Sequence, residues 1–347
     1  MKQLIEIGNF KTGINNNICD VEGVRVGHFT IKNESNKTGL TVILPHTGNM
    51  FRKKVVASSY VYNGFGKSNG LVQVEELGSI ETPIVLTNTL SVGIVTDALI
   101  SYMVKDNPDI GITTSTVNPL VLECNDGSIN HIQNRVLNLD NLEYAINNAS
   151  IEFLEGNVGA GTGMKCHGFK GGIGSASRKV LIKDEEYTVG VLVNSNFGSS
   201  NGSDLIIKGR SMGNLIKNYN LEKEEDKGSI IVVIATDAPL DSRQLKRLAK
   251  RAELGIARTG SYAGNGSGDI MVAFSSKNMI THDTNTVTES VLRFSDDFIN
   301  PLFKACVDAT EEAVLNSMLH STGDVTINGK NIKSLNEYKE LFSDLLR

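Results

Sequence analysis

The chain has 347 residues, of which 40% are hydrophobic and 21% charged, and this balance is typical of a folded globular protein rather than a disordered one. The formal net charge of −5, with no visible cluster of Lys and Arg, disfavours a nucleic-acid partner. Because Glu6 interrupts the N-terminal segment and the longest apolar run covers only residues 230–235, we expect no signal peptide, no membrane span and a cytoplasmic location.

The first third of the chain alternates short apolar runs with turns. Runs at residues 23–31, 39–45 and 82–89 have the composition and boundaries of strands. Residues 91–105 repeat apolar side chains at helical spacing, which predicts a helix. The repeating positions are Val92, Val95, Leu99, Ile100 and Met103.

The middle of the chain is rich in glycine and then alternates in side-chain type. Residues 179–198 follow the glycine-rich stretch, and their alternation predicts a β-hairpin. The alternating positions are Val189, Gly190, Val191, Leu192 and Val193. Residues 198–228 are polar and end in a charge run at 221–227, which is typical of a solvated loop or helix end.

The last third carries the clearest element boundaries. An apolar run at 229–235 predicts a buried strand, and Asp241 is placed to cap a helix over 242–254. Gly255 is placed to end that helix. Residues 269–275 predict a further strand.

Two capping signals follow near the C-terminus. Pro301 favours a helix start at 300–319. Ser334 and Glu337 have the spacing of a capping box. The mixture of strands and helices predicts the α/β class, and no linker divides the chain into two domains.

Common catalytic and nucleotide-binding motifs are absent. The Gly-Lys-Ser at 66–68 lacks the earlier glycine of a P-loop, since Val61 stands there, and Met164 replaces the third glycine of a dinucleotide fingerprint. No GxSxG motif surrounds Ser175, Ser261 or Ser267, and there is no HExxH motif, which disfavours an α/β-hydrolase and a zinc hydrolase. The cysteines are dispersed without a CxxC pair and are expected to be buried free thiols. They are Cys19, Cys124, Cys166 and Cys306.

The stretch 257–275, ARTGSYAGNGSGDIMVAFS, leaves two interpretations open. Its glycines are typical of a tight turn that leads into a strand, and the local pattern alone favours this ordinary reading. Alternatively, Ser261 is a nucleophile whose base is its own α-amine, which titrates near ~8. That solution requires a cut between Gly260 and Ser261, and a residue without Cβ leaves its carbonyl open to attack.

This stretch resembles the autoprocessing segment of the DmpA-type serine aminopeptidases, which include L-aminopeptidase/D-esterases and β-peptidyl aminopeptidases. Other segments resemble blocks of the family in the family's order, so the resemblance covers nearly the whole chain. These segments are residues 23–31, 38–45, 72–99, 123–130, 155–178, 187–198, 230–240 and 300–318.

The resemblance implies a four-layer α/β/β/α sandwich, similar to N-terminal nucleophile hydrolases but with different connectivity. It implies one domain, residues 1–347, that cuts itself between Gly260 and Ser261 into chains 1–260 and 261–347. It also implies a homo-oligomer, a tetramer or larger, with a small peptide or amino-acid amide as substrate. No metal, organic cofactor, nucleic acid or membrane is expected.

The family's site residues carry over to four positions. Ser261 matches the nucleophile and Asn196 the oxyanion-hole asparagine, whose N–H stabilises a tetrahedral intermediate. Glu123 matches the acid that faces the free amino group of the substrate. Asn125 stands where the family often has a tyrosine, which puts a hydroxyl contribution there in doubt.

The family's Ser-x-Glu pair is matched by Ser295 and Asp297, with the shorter aspartate in place of glutamate. Glu311 and Glu312 are alternatives, and both also suit ordinary helix acids. The implied activity is removal of an N-terminal residue through an acyl-Ser261 intermediate. The alternatives are an acyltransferase resembling ornithine acetyltransferase, which uses threonine as nucleophile, and a non-catalytic relative.

Overall fold

A computed structural model describes residues 5–216 and 228–346 of the chain, so the charge run at 221–227 lies outside the described residues. The α-helices are α1 (Leu71–Leu77), α2 (Val92–Asp106), α3 (Leu139–Asn147), α4 (Gly213–Ile216), α5 (Ser242–Arg258) and α6 (Asn300–Leu319). The strands are β1 (Arg25–Lys32), β2 (Lys37–Leu44), β3 (Lys53–Gly64), β4 (Ser79–Ile80), β5 (Ile84–Asn88), β6 (Leu120–Cys124), β7 (Lys165–Cys166), β8 (Phe169–Lys170), β9 (Gly172–Ile182), β10 (Glu185–Asn196), β11 (Ile206–Ile207), β12 (Arg210–Ser211), β13 (Ser229–Thr236), β14 (Gly268–Thr281), β15 (Asp324–Val325) and β16 (Asn331–Ile332).

Two sheets stack face to face, and each carries helices on its outer side. The smaller sheet has the strand order β1-β2-β5-β6, and the larger has β4-β3-β14-β13-β10-β9. Helices α2 and α3 pack on the smaller sheet, whereas α5 and α6 pack on the larger one. The predicted α/β class and four-layer sandwich are therefore confirmed.

Strand β13 shows why the sequence forms the inner layers. Ile230, Val232 and Ile234 belong to the core beneath α5 and α6, whereas Ile231 and Val233 belong to the core between the sheets. Successive side chains of a strand point to opposite faces, so a strand that is covered on both sides must be apolar throughout. The buried strand predicted from the apolar run is confirmed.

Four strands of the larger sheet meet at one end of the sandwich. Their register places Asn196, the last residue of β10, opposite Ser229, the first residue of β13. Ser229 is aligned in parallel with Gly268, which starts β14, and Gly268 lies opposite Gly64 at the end of β3. This end of the sheet therefore brings four chain segments together.

Most predicted elements are present with small shifts at their ends. The strands predicted at 23–31, 39–45 and 82–89 are β1, β2 and β5, and the helix predicted at 91–105 is α2. The hairpin predicted at 179–198 consists of β9 and β10. Strand β3 has no predicted counterpart, because its Lys, Ser and Tyr residues interrupt the apolar pattern.

The predicted helix cap at Asp241 and the predicted capping box at Ser334 both form. The Asp241 side chain accepts a hydrogen bond from the Gln244 N–H at 2.7 Å, and Ser334 N–H donates to Glu337 at 2.8 Å. The segment after Ser334 is a 3₁₀ helix, Leu335–Leu345, with a kink inside it.

The state of the cysteines and the length of the helices were also predicted. All four cysteines are buried free thiols, as predicted. Burial raises the pKa of Cys19 and of Cys306 to about 12, which keeps these thiols protonated and unreactive. No helix in the described parts of the chain has the length and apolarity to cross a membrane. The cytoplasmic location stays a prediction.

The predicted end of α5 was wrong. Gly255 does not stop the helix, which continues to Arg258. A Cβ atom at Gly255 would lie 2.6 Å from the carbonyl oxygen of Val307 on α6, so this glycine allows the two helices to approach closely. The residue that ends the helix is Gly260, which has a φ of +105°.

We expect Gly255→Ala to lower the free energy of unfolding by about 1–3 kcal/mol, because the added methyl group overpacks the contact between α5 and α6. Gly93→Ala is the matched control. Gly93 lies on α2 with no atom within 4 Å of its ideal Cβ, so the same change there should stabilise the protein by up to about 1 kcal/mol. Urea denaturation measures both values, and an unchanged stability of Gly255→Ala would contradict the packing argument.

Candidate active site

The junction predicted as a cleavage site lies directly after α5. A Cβ atom at Gly260 would lie 1.7 Å from the carbonyl oxygen of Asp204, and φ is positive, so only glycine fits this position. The carbonyl oxygen of Thr259 accepts a hydrogen bond from Ile206 N–H at 2.9 Å. The segment 204–206 therefore fixes the backbone that precedes Ser261.

The loop after the junction is held by one asparagine. The side-chain N–H group of Asn63 on β3 donates to the carbonyl oxygens of Gly264 and Ser267, each at 2.8 Å. The hydroxyl oxygen of Ser261, which is partly buried, accepts a hydrogen bond from Ala263 N–H at 3.2 Å. Ser261 thus starts an ordered loop that leads into β14.

Asn196 presents a fixed amide at the end of β10. Its side-chain oxygen accepts from Lys165 N–H at 2.9 Å, and its side-chain nitrogen donates to the Asn125 carbonyl at 3.0 Å. Because one contact needs an acceptor and the other a donor, the orientation of the amide is defined. The bond to Asn125 uses one of its two N–H hydrogens.

Glu123 is a buried carboxylate at the end of β6, 3% exposed. One oxygen accepts from Lys67 N–H at 2.8 Å, and the other accepts from the Thr89 hydroxyl. Each carboxylate oxygen of Glu123 therefore has a hydrogen-bond donor. Asn125 follows two residues later and is exposed, with its side-chain oxygen bound to Gly127 N–H at 2.9 Å.

One cleft of about 670 Å³ lies beside these groups, and within the loop its lining begins at Tyr262, the residue after Ser261. It is lined by three of the predicted site residues, Glu123, Asn125 and Asn196, and by residues that follow Ser261 in the loop. The remaining lining residues include two lysines. The complete lining is Phe65, Lys67, Thr89, Glu123, Asn125, Ser128, Lys165, Asn196, Gly228, Ser229, Tyr262, Gly264, Asn265 and Gly266.

The structure does not bring Ser295 and Asp297 together with Ser261. Both are exposed, and the preceding Phe294 carbonyl is bound at 2.8 Å by Gln244 in the first turn of α5. Helix α5 has 17 residues and spans about 25 Å, and Ser261 follows its last turn. Contacts to the first turn of α5, at the opposite end of the helix from Ser261, determine where Ser295 and Asp297 lie. The number of residues between them and Ser261 therefore does not predict proximity.

The alternative acids also lie outside the cleft. Glu312 is fully buried and pairs with Arg178 at 2.6 Å, and it accepts Ile7 N–H at 2.9 Å, which ties the N-terminal segment to α6. Glu311 pairs with Arg258 at 3.4 Å, and burial raises the pKa of Glu311. No group of three His, Cys, Asp or Glu side chains within residues 5–216 and 228–346 is arranged to hold a metal ion.

Sequence reasoning missed the groups that support the site. Asn63, Lys67 and Thr89 were not among the predicted site residues, and they meet Glu123 and the loop only through the fold. The sole sequence signal was the Gly-Lys-Ser at 66–68, which fails as a P-loop. Its backbone instead supplies a donor to Glu123.

Comparisons with known proteins agree with this geometry. The sequence profile of Peptidase family S58 matches residues 16–332. The chain is 38% identical to the beta-peptidyl aminopeptidase BapA of Sphingosinicella microcystinivorans, over 94% of this chain and 86% of that protein.

Two solved structures are similar over nearly their full length. The PH0078 protein from Pyrococcus horikoshii OT3 is 49% identical, with a TM-score of 0.92, over 97% of this chain and 96% of that one. The L-aminopeptidase D-Ala-esterase/amidase from Ochrobactrum anthropi is 33% identical, with a TM-score of 0.87, over 97% of both chains. The latter is described as a prototype for the serine aminopeptidases and a variant of the Ntn hydrolase fold.

Two further carboxyl groups, those of Asp269 and Glu253, lie near the loop that follows Ser261. Asp269 on β14 accepts from the Ser267 hydroxyl at 2.6 Å. Glu253 on α5 is 8% exposed, and its Oε2 has no hydrogen-bond partner among the described residues. Burial, and secondly the charge of Asp269, raise the pKa of Glu253 from 4.5 to about 7.

We expect Glu253→Gln to stabilise the protein at pH 8 but not at pH 4. A raised folded-state pKa means that the native state favours the protonated form, so the contribution of Glu253 is full below about 4.5 and lost as pH rises through about 7. Because glutamine does not ionise, the substitution should raise the free energy of unfolding at pH 8 by up to about 3 kcal/mol. Urea denaturation at both pH values measures it, with the exposed Glu22→Gln as control. An equal effect of Glu253→Gln at both pH values would refute the argument.

Proposed function

The chain belongs to peptidase family S58, and from that premise we propose that it is made as an inactive precursor, cuts itself between Gly260 and Ser261, and then acts through Ser261. The protein is a hydrolase, a serine aminopeptidase, and the acyltransferase and non-catalytic alternatives are not favoured. The observation that carries the site proposal is the single cleft lined by Glu123, Asn125, Asn196 and the loop that follows Ser261.

Self-cleavage begins with attack of the Ser261 hydroxyl oxygen on the carbonyl carbon of Gly260. The peptide C–N bond breaks, the hydroxyl proton passes to the freed amine, and the Gly260 acyl group is left as an ester on Ser261. Water then hydrolyses the ester, which gives a carboxylate at Gly260 and restores the hydroxyl. The contacts of Asp204 and Ile206 support this step because they hold the scissile backbone still.

The cut supplies the base that the site otherwise lacks. The new α-amine of Ser261 titrates near ~8, so much of it is the free base at neutral pH. It accepts the proton of the Ser261 hydroxyl as that oxygen attacks the substrate carbonyl. An acyl-Ser261 intermediate forms, the product amine leaves, and water releases the acyl group.

Asn196 is suited to stabilise the oxyanion. Its amide is already oriented by Lys165 N–H and the Asn125 carbonyl, so no reorganisation is needed when charge develops. The bond to Asn125 leaves its second N–H hydrogen for the oxyanion. Asn125 itself lies at the mouth of the cleft and is proposed as a substrate contact.

Glu123 is suited to bind the ammonium group of the substrate. Its two present hydrogen bonds are compatible with a third, since a carboxylate has about four acceptor sites. Lys67 and Lys165 also line the cleft, so the lining pairs one carboxylate with two ammonium groups. We infer a short peptide as substrate, with its amine at Glu123 and its carboxylate towards the lysines.

The proposal includes self-association and needs no added cofactor. Exposed apolar side chains, among them Ile14, Val72 and Ile112, offer surface that a homo-oligomer would cover. Light scattering of the purified protein tests a tetramer or larger, which has at least four times the 37.5 kDa mass of the chain.

We expect the purified wild-type protein to consist of two fragments that end and begin at Gly260 and Ser261, and the Ser261→Ala variant to remain one chain. Intact mass and denaturing electrophoresis measure this. A Ser267→Ala variant, which lacks the other serine of the loop, should still be cut. A wild-type chain that stays intact for days would exclude the proposed mechanism.

We expect the two cleft residues to affect different steps, with activity counted per cleaved chain. Asn196→Ala should lower kcat about 100- to 1000-fold with little change in KM, because the oxyanion loses its donor. Glu123→Gln should lower the preference for a free amine over a desamino analogue about tenfold or more.

The assay uses p-nitroanilides of L-, D- and β-amino acids, and dipeptides with free or amidated C-termini. The dipeptide pair tests the contribution of the two lysines. Unchanged selectivity for the amine in Glu123→Gln would count against its assigned role.

A further inference from the structure

His167 is a buried histidine that the proposed mechanism does not use. It lies in the two-residue turn between β7 and β8, with a φ of +47°, and is followed by Gly168 at +77°. Two positive φ values are typical of a hairpin turn that favours Asn-Gly, so a histidine here occupies a conformation uncommon for its type. The ring is fully buried.

The hydrogen bonds of Thr259 assign the tautomer of this ring. The Nε2 atom of His167 lies 3.2 Å from the hydroxyl oxygen of Thr259, and that hydroxyl donates its only hydrogen to the Ile256 carbonyl at 2.7 Å. The hydroxyl oxygen must therefore accept from Nε2–H. Burial lowers the pKa of His167 to about 4, so the ring is neutral near pH 7. Its Nδ1 has no partner among the described residues.

His167 connects the scissile segment to the strand end that carries Asn196. Its side chain binds Thr259, the residue before Gly260. Its backbone N–H donates to the Phe197 carbonyl at 2.7 Å, and its ring lies edge-on to the Phe197 ring with centroids 5.0 Å apart. One residue thus bridges the bond to be cut and the neighbour of the oxyanion amide.

We propose that His167 is a positioning residue for self-cleavage, which holds Thr259 and so orients the Gly260 carbonyl relative to Asn196. The inference rests on the proposed self-cleavage. His167 does not touch the reacting atoms, and its Nε2–H is bound to the Thr259 hydroxyl. The lone pair of this tautomer is on Nδ1, which is buried beside Gly198 and not beside Gly260. The role of His167 is therefore confined to geometry, and it should affect the cut more than the turnover of cut enzyme.

The test compares variants that keep or lose the Nε2 donor. His167→Gln places an amide nitrogen near the position of Nε2, whereas His167→Phe retains a ring without a donor. The full chain is made by cell-free synthesis, and intact mass follows the appearance of the two fragments. We expect His167→Phe to slow the cut about tenfold or more, and His167→Gln to restore most of the rate.

Variants of Thr259, the hydrogen-bond partner of His167, give an independent check. Thr259→Val removes the acceptor and Thr259→Ser keeps it, so only the valine should slow the cut. The double variant His167→Phe with Thr259→Val should be no slower than the slower single variant, because both remove one contact. For every variant, kcat per cleaved chain should stay within about twofold of the wild type.

Three results would overturn the inference. The first is a His167→Phe chain that cuts at the wild-type rate. The second is an equal loss in the Gln and Phe variants that parallels a fall in melting temperature. The third is an additive double variant. A wild-type chain that is never cut would instead remove the proposed function, and this inference with it.

Discussion

The register of the larger sheet is the constraint on which the site depends. Hydrogen bonding across β10, β13, β14 and β3 sets Asn196, Ser229, Gly268 and Gly64 in one row. A shift of two residues in any of these pairs would move the Asn196 amide or the strand end next to the loop by about 7 Å. The second sheet is tied to β10 two residues before Asn196, through the Cys124 thiol, which lies 3.4 Å from the Asn194 carbonyl. Packing between the sheets thereby fixes the position of Glu123, which lies near the end of β6.

Helix α5 positions the proposed scissile bond relative to this row of residues. Its capping box at Asp241 fixes where it begins. Two glycines near its C-terminal end have different structural roles. Gly255 lets α5 approach α6, and Gly260 turns the chain against the Asp204 carbonyl. Both exploit the absence of Cβ, but only Gly260 also needs a positive φ. The segment that leads to Ser261, the proposed nucleophile, is therefore positioned by packing.

The sequence predicted what is locally encoded. The apolar run of β13 and the cap at Asp241 depend on neighbours in the chain, and both are confirmed. The end of α5 at Gly255 was wrong because a contact with α6, some 50 residues away, gave that glycine its use. The family resemblance, not periodicity, singled out Glu123 and Asn196. No local pattern could pair Glu123 with Thr89, since 34 residues separate them.

The two buried glutamates show how the fold assigns charge. Glu123 and Glu253 are similarly buried, but each oxygen of Glu123 accepts a hydrogen bond, whereas Oε2 of Glu253 has no partner among the described residues and Asp269 is near. Donors stabilise a carboxylate, while burial beside another acid favours the neutral form. The same residue type thus has a donor on each oxygen in the cleft, but lacks a partner on one oxygen near Asp269, where its pKa is raised. Hydrogen-bond supply, more than depth, separates the two.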